Sequence, residues 1–248
     1  MMRRYSRAVG CCLIAGVLVS GEGLGQTGTE GEDRGAASVA GDYEEKVLAL
    51  EERLERGFLA NGTVVTRDSL SVPEYFSRRN MPGIASYNAE TLFWDLEGTH
   101  VDSALWTGVY LAGESFHWAA APGDRARVLP RITRLLDAID RLFAVTGVPG
   151  FMARFAFEAG RIPEGMEHLE LVTTHPEIAF QGSWRRSPVA RYATWYFKGR
   201  TSRDQYAGLL FGLAACYRNV EVASVRGRVR ERILSTVDAL IANDWKIP

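Results

Sequence analysis

Cysteine, histidine and net charge are all scarce in this sequence, and each shortage removes a class of protein. Three cysteines and four histidines are spread over 248 residues. Cys11 and Cys12 lie in an N-terminal apolar stretch, which leaves Cys216 alone for the rest of the chain. An internal disulfide framework is thereby excluded, and the fold has to stand on buried apolar surface. Cys216 falls in the run Leu213-Ala214-Ala215-Cys216-Tyr217, where a buried structural thiol is expected rather than a nucleophile. Nor do the histidines form a ligand set. His117 lies within an apolar helix as a satisfied core residue. His168 and His175, with Glu167 and Glu170 nearby, are spaced more widely than zinc ligands usually are. No metal and no cofactor is expected. With 29 basic against 30 acidic side chains the net charge is -1, so no overall field gathers nucleic acid or an anionic membrane. A Gly-rich phosphate loop, a Gly-x-Ser-x-Gly elbow and a basic–aromatic RNA signature are missing as well.

What is present starts with an export signal. Arg3, Arg4 and Arg7 precede the apolar stretch Ala8 to Val19, and Gly23-Leu24-Gly25 supplies small residues for cleavage. Residues 1–25 are expected to be a signal peptide, too short to span a bilayer comfortably, and the protein to be periplasmic or extracellular with no membrane span after its removal. Residues 26–41, rich in Gly, Thr, Glu and Ala, read as a flexible linker. Order is expected from Asp42, capping a helix Tyr43 to Arg56. Residues 60–97 break into turns such as Asn61-Gly62 and Met81-Pro82-Gly83.

The informative part begins at Val101. Asp102-Ser103 can cap a helix to about Ala120 that is apolar nearly all round, so it must be covered on most sides. After the turn Pro122-Gly123-Asp124, the helix Arg125 to Val145 is amphipathic. Val128, Ile132, Leu135, Leu136, Ile139, Leu142 and Phe143 share one face, and Arg127, Arg131, Arg134 and Arg141 point away. An inner–outer hairpin follows from that pattern. It returns a hundred residues later as an apolar helix Asp204 to Tyr217 and an amphipathic one, Arg226 to Ala242, through Ile233, Val237, Leu240 and Ile241. Trp106-Thr-Gly-Val-Tyr-Leu-Ala-Gly113 aligns with Tyr206-Ala-Gly-Leu-Leu-Phe-Gly-Leu213, and the glycine pairs allow the two inner helices to approach closely. A helical pair that cannot bury its own apolar face, repeated, predicts a stacked or ring-like array.

Three segments then carry a family likeness: Asp102 to Ala112, Thr146-Gly147-Val148-Pro149-Gly150-Phe151-Met152-Ala153-Arg154, and Gly199-Arg200-Thr201-Ser202-Arg203-Asp204 leading into Gly208 to Gly212. Together, over residues 88 to 245, the sequence resembles the six-hairpin glycosidase-like superfamily, the (α/α)6 toroids of secreted polysaccharide-processing proteins. The resemblance implies an all-α, incomplete (α/α) toroid over residues 42–248. A ring of twelve helices needs roughly 300 residues or more, so about half a ring is expected. The chain is then a fragment or truncated product, or a second chain completes the ring. Position 200 departs from the family, whose third segment usually reads Asp-Thr-Ser-x-Asp; a cation stands here in place of a carboxylate.

On this reading the loops entering the inner helices form one mouth, where helix N-termini suit sugar hydroxyls or uronate carboxylates. Glycoside hydrolysis needs two carboxyl groups, and Asp102 and Asp204 occupy matching places in the repeat. Both are also favoured N-cap residues. Asp95, Arg154 and Arg200 are the expected substrate contacts. Arg154 is placed to grip a carboxylate in a bidentate fork, or to serve a structural ion pair. Trp184 and Trp195, in a turn-rich stretch, are the expected stacking platforms, whereas Trp106 and Trp118 read as core. The expectation is an exported carbohydrate-active protein, a glycoside hydrolase acting on a polysaccharide or a uronic-acid-containing glycan. The alternative is a non-catalytic helical array binding a glycan or partner protein, or an inactive truncated product.

Overall fold

The computed structural model describes residues 33–65, 102–163, 166, 169–175 and 184–247, with side chains from residue 45 onward. The expected signal peptide, Asp95, Glu167 and His168 lie outside the described residues. Two compact units are present, 1–59 and 60–248. In the first, helix α1 (Asp33–Gly57) begins nine residues before the expected cap at Asp42, inside the stretch read as linker. The ion pair Arg56–Glu52, one turn apart, closes its last turns.

A hairpin of two-residue strands, β1 (Leu59–Ala60) and β2 (Thr63–Val64), follows α1 in sequence. Its turn is the predicted Asn61-Gly62, both residues at positive φ (52° and 80°). Four helices follow the expected order: α2 (Ser103–Ala120), α3 (Arg125–Ala144), α5 (Arg203–Asn219) and α6 (Ala223–Ala242). A short α4 (Glu170–Thr174) lies between α3 and α5. In α3 the whole predicted apolar face is buried, Val128, Ile132, Leu135 and Ile139 completely. Arg131 and Arg141 do not simply point to solvent. Arg131 pairs with the buried Glu114 of α2 at 3.4 Å, and Arg141 lies 5.0 Å over the Trp195 ring.

The two apolar helices, α2 and α5, lie side by side. Gln205 Oε1 accepts from the Leu105 amide at one end, and Trp118 Nε1 donates to Glu221 beyond the other, so the helices run parallel. Glycine makes the contact possible. A Cβ on Gly108 would sit 2.3 Å from the Gly208 carbonyl oxygen, and one on Gly212 would sit 2.0 Å from that of Gly108. Helices α3 and α6 are also parallel: Arg228 pairs with Asp137 and Asp140 (2.6 Å), and one turn on Arg232 pairs with Asp140 (2.9 Å) and lies over the Phe143 ring. The result is two consecutive helical hairpins in two layers.

Two expectations need correction. Most described residues are helical, but the chain is not all-α: β3 (Phe155–Glu158), β4 (Trp184–Arg186) and β5 (Trp195–Lys198) form an antiparallel sheet in the order β3-β5-β4. Phe157 pairs with Tyr196, and Trp184 with Lys198. These runs are aromatic-rich and suit a pleat, but three or four residues are too few to show a period of two. One face covers a separate small core of Phe155, Phe157, Met166, Leu169, Val172 and Trp184. The second correction concerns α6. Val225, Val229 and Thr236 are its buried positions, whereas Ile241, predicted to be covered, is 54% exposed. Among the described residues no helix is long and apolar enough to cross a membrane.

Candidate functional site

The N-terminal ends of α2 and α5 come together with the loop that leaves α3, and all three motif segments meet there. Tyr206, in the first turns of α5, clamps that loop. Its hydroxyl donates to the Gly150 carbonyl (2.7 Å) and accepts from the Met152 amide (3.1 Å). Burial pushes the phenol up from its ordinary value. Thr201 adds a hydroxyl donated to the Met152 carbonyl.

Asp102 stands at the N-cap position of α2 but makes no capping hydrogen bond. Its carboxylate instead accepts from Gln205 Nε2 at 2.8 Å, while Gln205 Oε1 takes the Leu105 amide. One fully buried glutamine therefore satisfies a free N–H of the neighbouring helix and holds the carboxylate at its mouth. Ser202-x-x-Gln205 is a capping-box pattern in sequence. The glutamine is drawn off to the adjacent helix because the glycine contact brings that helix within reach. Gln205 was missed in the sequence, although the pattern marked it as the polar residue of the first turn.

Asp204 sits one position before Gln205 and is exposed. The Ser202 hydroxyl and the amides of Asp204 and Gln205 hold its carboxyl below the usual value, with the Arg154 charge adding to the effect. Asp204 is thus kept as the anion, stabilised by the start of its own helix. Arg154 does not reach outward. Its Nε donates to the Arg200 carbonyl (2.8 Å) and Nη2 to Ser202 Oγ (3.2 Å), so it braces the loop that carries Ser202 and Asp204. Arg200 is exposed with φ at 52°, a left-handed conformation that favours glycine or asparagine over arginine.

The tryptophans divide. Trp184 is 2% exposed and packs edge-on against Phe157 at 5.5 Å, so it belongs to the sheet core and offers no platform. Its position in a β-strand, in place of the expected turn-rich stretch, turned it inward. Trp195 is partly exposed, but Arg141 lies over its ring and Tyr192 meets it edge-on at 5.9 Å. Trp118 is buried as expected. His117 is satisfied by Asp124, at 2.8 Å. Cys216 is buried and its thiol is pushed up to about 11 by burial, as befits a structural thiol.

Beside the motif loop lies a cavity of about 190 Å³, lined by Val148, Phe151, Phe197, Arg185 and Arg200 among others. It is smaller than the roughly 300–1,000 Å³ of ordinary ligand pockets. Comparison with protein-family models, with curated proteins and with solved structures found no match.

Proposed function

We propose that this protein is an exported, carbohydrate-active relative of the six-hairpin glycosidase-like toroids, built as an incomplete ring and working at the N-terminal mouth of its inner helices. The observation that carries the reading is the placement of Asp102 and Asp204 at the same end of two parallel, glycine-packed helices, with Asp102 bonded to Gln205, the residue that follows Asp204. Hydrolysis of a glycosidic bond divides the work between an ionised carboxylate and a proton donor. Asp204, held as the anion by Ser202 and helix N–H groups, suits the base or nucleophile role. Asp102, bonded to Gln205, supplies the second carboxyl group of the pair. Arg154 positions the Ser202–Asp204 loop, and Arg200 supplies a cation at the rim that suits a uronate carboxylate.

A non-catalytic glycan-binding scaffold is favoured by a different observation. The Asp102 carboxylate is already engaged by Gln205, and the Arg154 guanidinium by Arg200 and Ser202. One experiment separates the two. The purified protein is offered a panel of neutral and uronate-containing oligosaccharides. Turnover that falls by about 10²–10⁴ in Asp102→Asn and Asp204→Asn, with circular dichroism unchanged, supports the enzyme. Binding without turnover in the wild type supports the scaffold. Neither binding nor turnover across the panel would end both.

A further inference from the structure

Exposed apolar side chains concentrate on one hairpin. Of the six large hydrophobic residues that stand exposed among the described residues, five lie on α5, α6 or just beyond: Phe211, Tyr217, Leu234, Ile241 and Trp245. The pattern along α5 is regular. Asp204, Ala207, Phe211, Ala214 and Arg218 are all exposed and spaced by three and four, so they form one straight stripe along the helix. The opposite stripe, Gln205, Gly208, Gly212 and Cys216, faces α2. On α6, Arg228, Arg232 and Ala239 face α3 and its exit loop, and Leu234 and Ile241 stand about half a turn away from them. The positions of α2 that match the α5 stripe, Ala104, Thr107, Leu111, Glu114 and Trp118, are all buried, so a face that is covered in the first hairpin stands exposed in the second.

The composition of that stripe says what fits it. Asp204 and Arg218 lie at equal distances, seven positions, on either side of Phe211. Ala207 and Ala214, next inward, leave shallow gaps flanking the ring. Such a stripe is its own complement when reversed. We infer that this face docks a second copy of the chain, with the two α5 helices antiparallel about a two-fold axis at Phe211. Each Asp204 then meets Arg218 of the other copy, and the two Phe211 rings meet at the axis, in the space left by the flanking alanines. Leu234 and Ile241 extend the apolar contact onto α6. An isologous dimer of this kind places the same patch on both sides of the interface, and a net charge of only -1 sets up no long-range repulsion against it. The inference does not need the glycan reading, but it engages Asp204 with Arg218 of the other copy and so competes with the base or nucleophile role given to Asp204.

Sedimentation equilibrium of the full chain tests it. A wild-type dimer dissociating in the micromolar range or tighter is expected. Phe211→Glu and, separately, Leu234→Glu should weaken it by about tenfold or more with helicity unchanged, since a buried apolar anchor is replaced by a charge. Arg218→Asp should weaken it through repulsion from Asp204, and Asp204→Arg in the same chain should restore it. That rescue requires the antiparallel register. A wild type that stays monomeric, or a dimer indifferent to both glutamate variants, would overturn the inference. Failure of the charge exchange to rescue would overturn the register.

Discussion

The Cys216 thiol stands at about 11 because burial against α2 disfavours the thiolate, with only the Ser115 hydroxyl opposing the shift. Alkylating reagents at neutral pH should leave Cys216 unmodified in the native protein and label it fully in denaturant, as read by mass spectrometry. Asp124 is the opposite case. Hydrogen bonds from His117 and Arg127 hold its carboxyl below the usual 3.8. A lowered folded value means that its contribution to stability is complete above the ordinary value and is lost as pH falls through the lowered one. The acid limb of the thermal midpoint, below about pH 4, should therefore be shallower in Asp124→Asn than in wild type. Trp184→Ala should cost about 3–5 kcal/mol in urea unfolding, because a fully buried indole leaves a cavity, and Trp184→Phe should leave any glycan affinity intact.

Between elements, the determining contact is backbone against backbone at Gly108, Gly208 and Gly212. Gly212→Ala would push a Cβ to 2.0 Å from the Gly108 carbonyl oxygen, and neither backbone has room to yield. A loss of about 3 kcal/mol or more is expected, with Asp102 and Gln205 drawn apart in the same step. Gly227 lies within α6, where a Cβ would meet nothing within 4 Å. Gly227→Ala should instead gain about 0.5–1 kcal/mol, from helix propensity alone. Matched chemical unfolding of the two variants checks both signs. The close pairing was legible in sequence because small residues, repeated at matched positions of two apolar helices, mark surfaces that can touch backbone to backbone. The sheet was not legible. Phe155–Glu158 and Trp195–Lys198 acquire their strand character only by pairing across a long intervening stretch of chain, so no local pattern announces them.

The stripe of α6 is apolar, as its periodicity predicts, yet part of it, Ile241 above all, stands exposed. Hydrophobic periodicity reports that a face requires burial; it does not report whether this chain or another provides it. If a second copy provides it, the association rests mainly on apolar burial with one exposed ion pair at each edge. Raising salt from about 0.1 to 0.5 M should then change the dimer constant by no more than about threefold, since screening acts on the edges alone. A dimer released by such salt would point to an electrostatic interface elsewhere.

Local sequence located α2, α3, α5 and α6 but not the start of α1, and it marked which face of α3 is buried, that Cys216 is a core thiol, and that two helices a hundred positions apart belong together. Those features depend on spacing within a turn or two and on repeated letters, which a linear reading captures. Tertiary structure decided the rest: that Gln205 serves the neighbouring helix rather than its own cap, that Arg154 is a brace and Trp184 a core residue, and that one hairpin face is left open. Each of these turns on which groups come within hydrogen-bond or van der Waals reach, a few ångströms that only the packed chain defines.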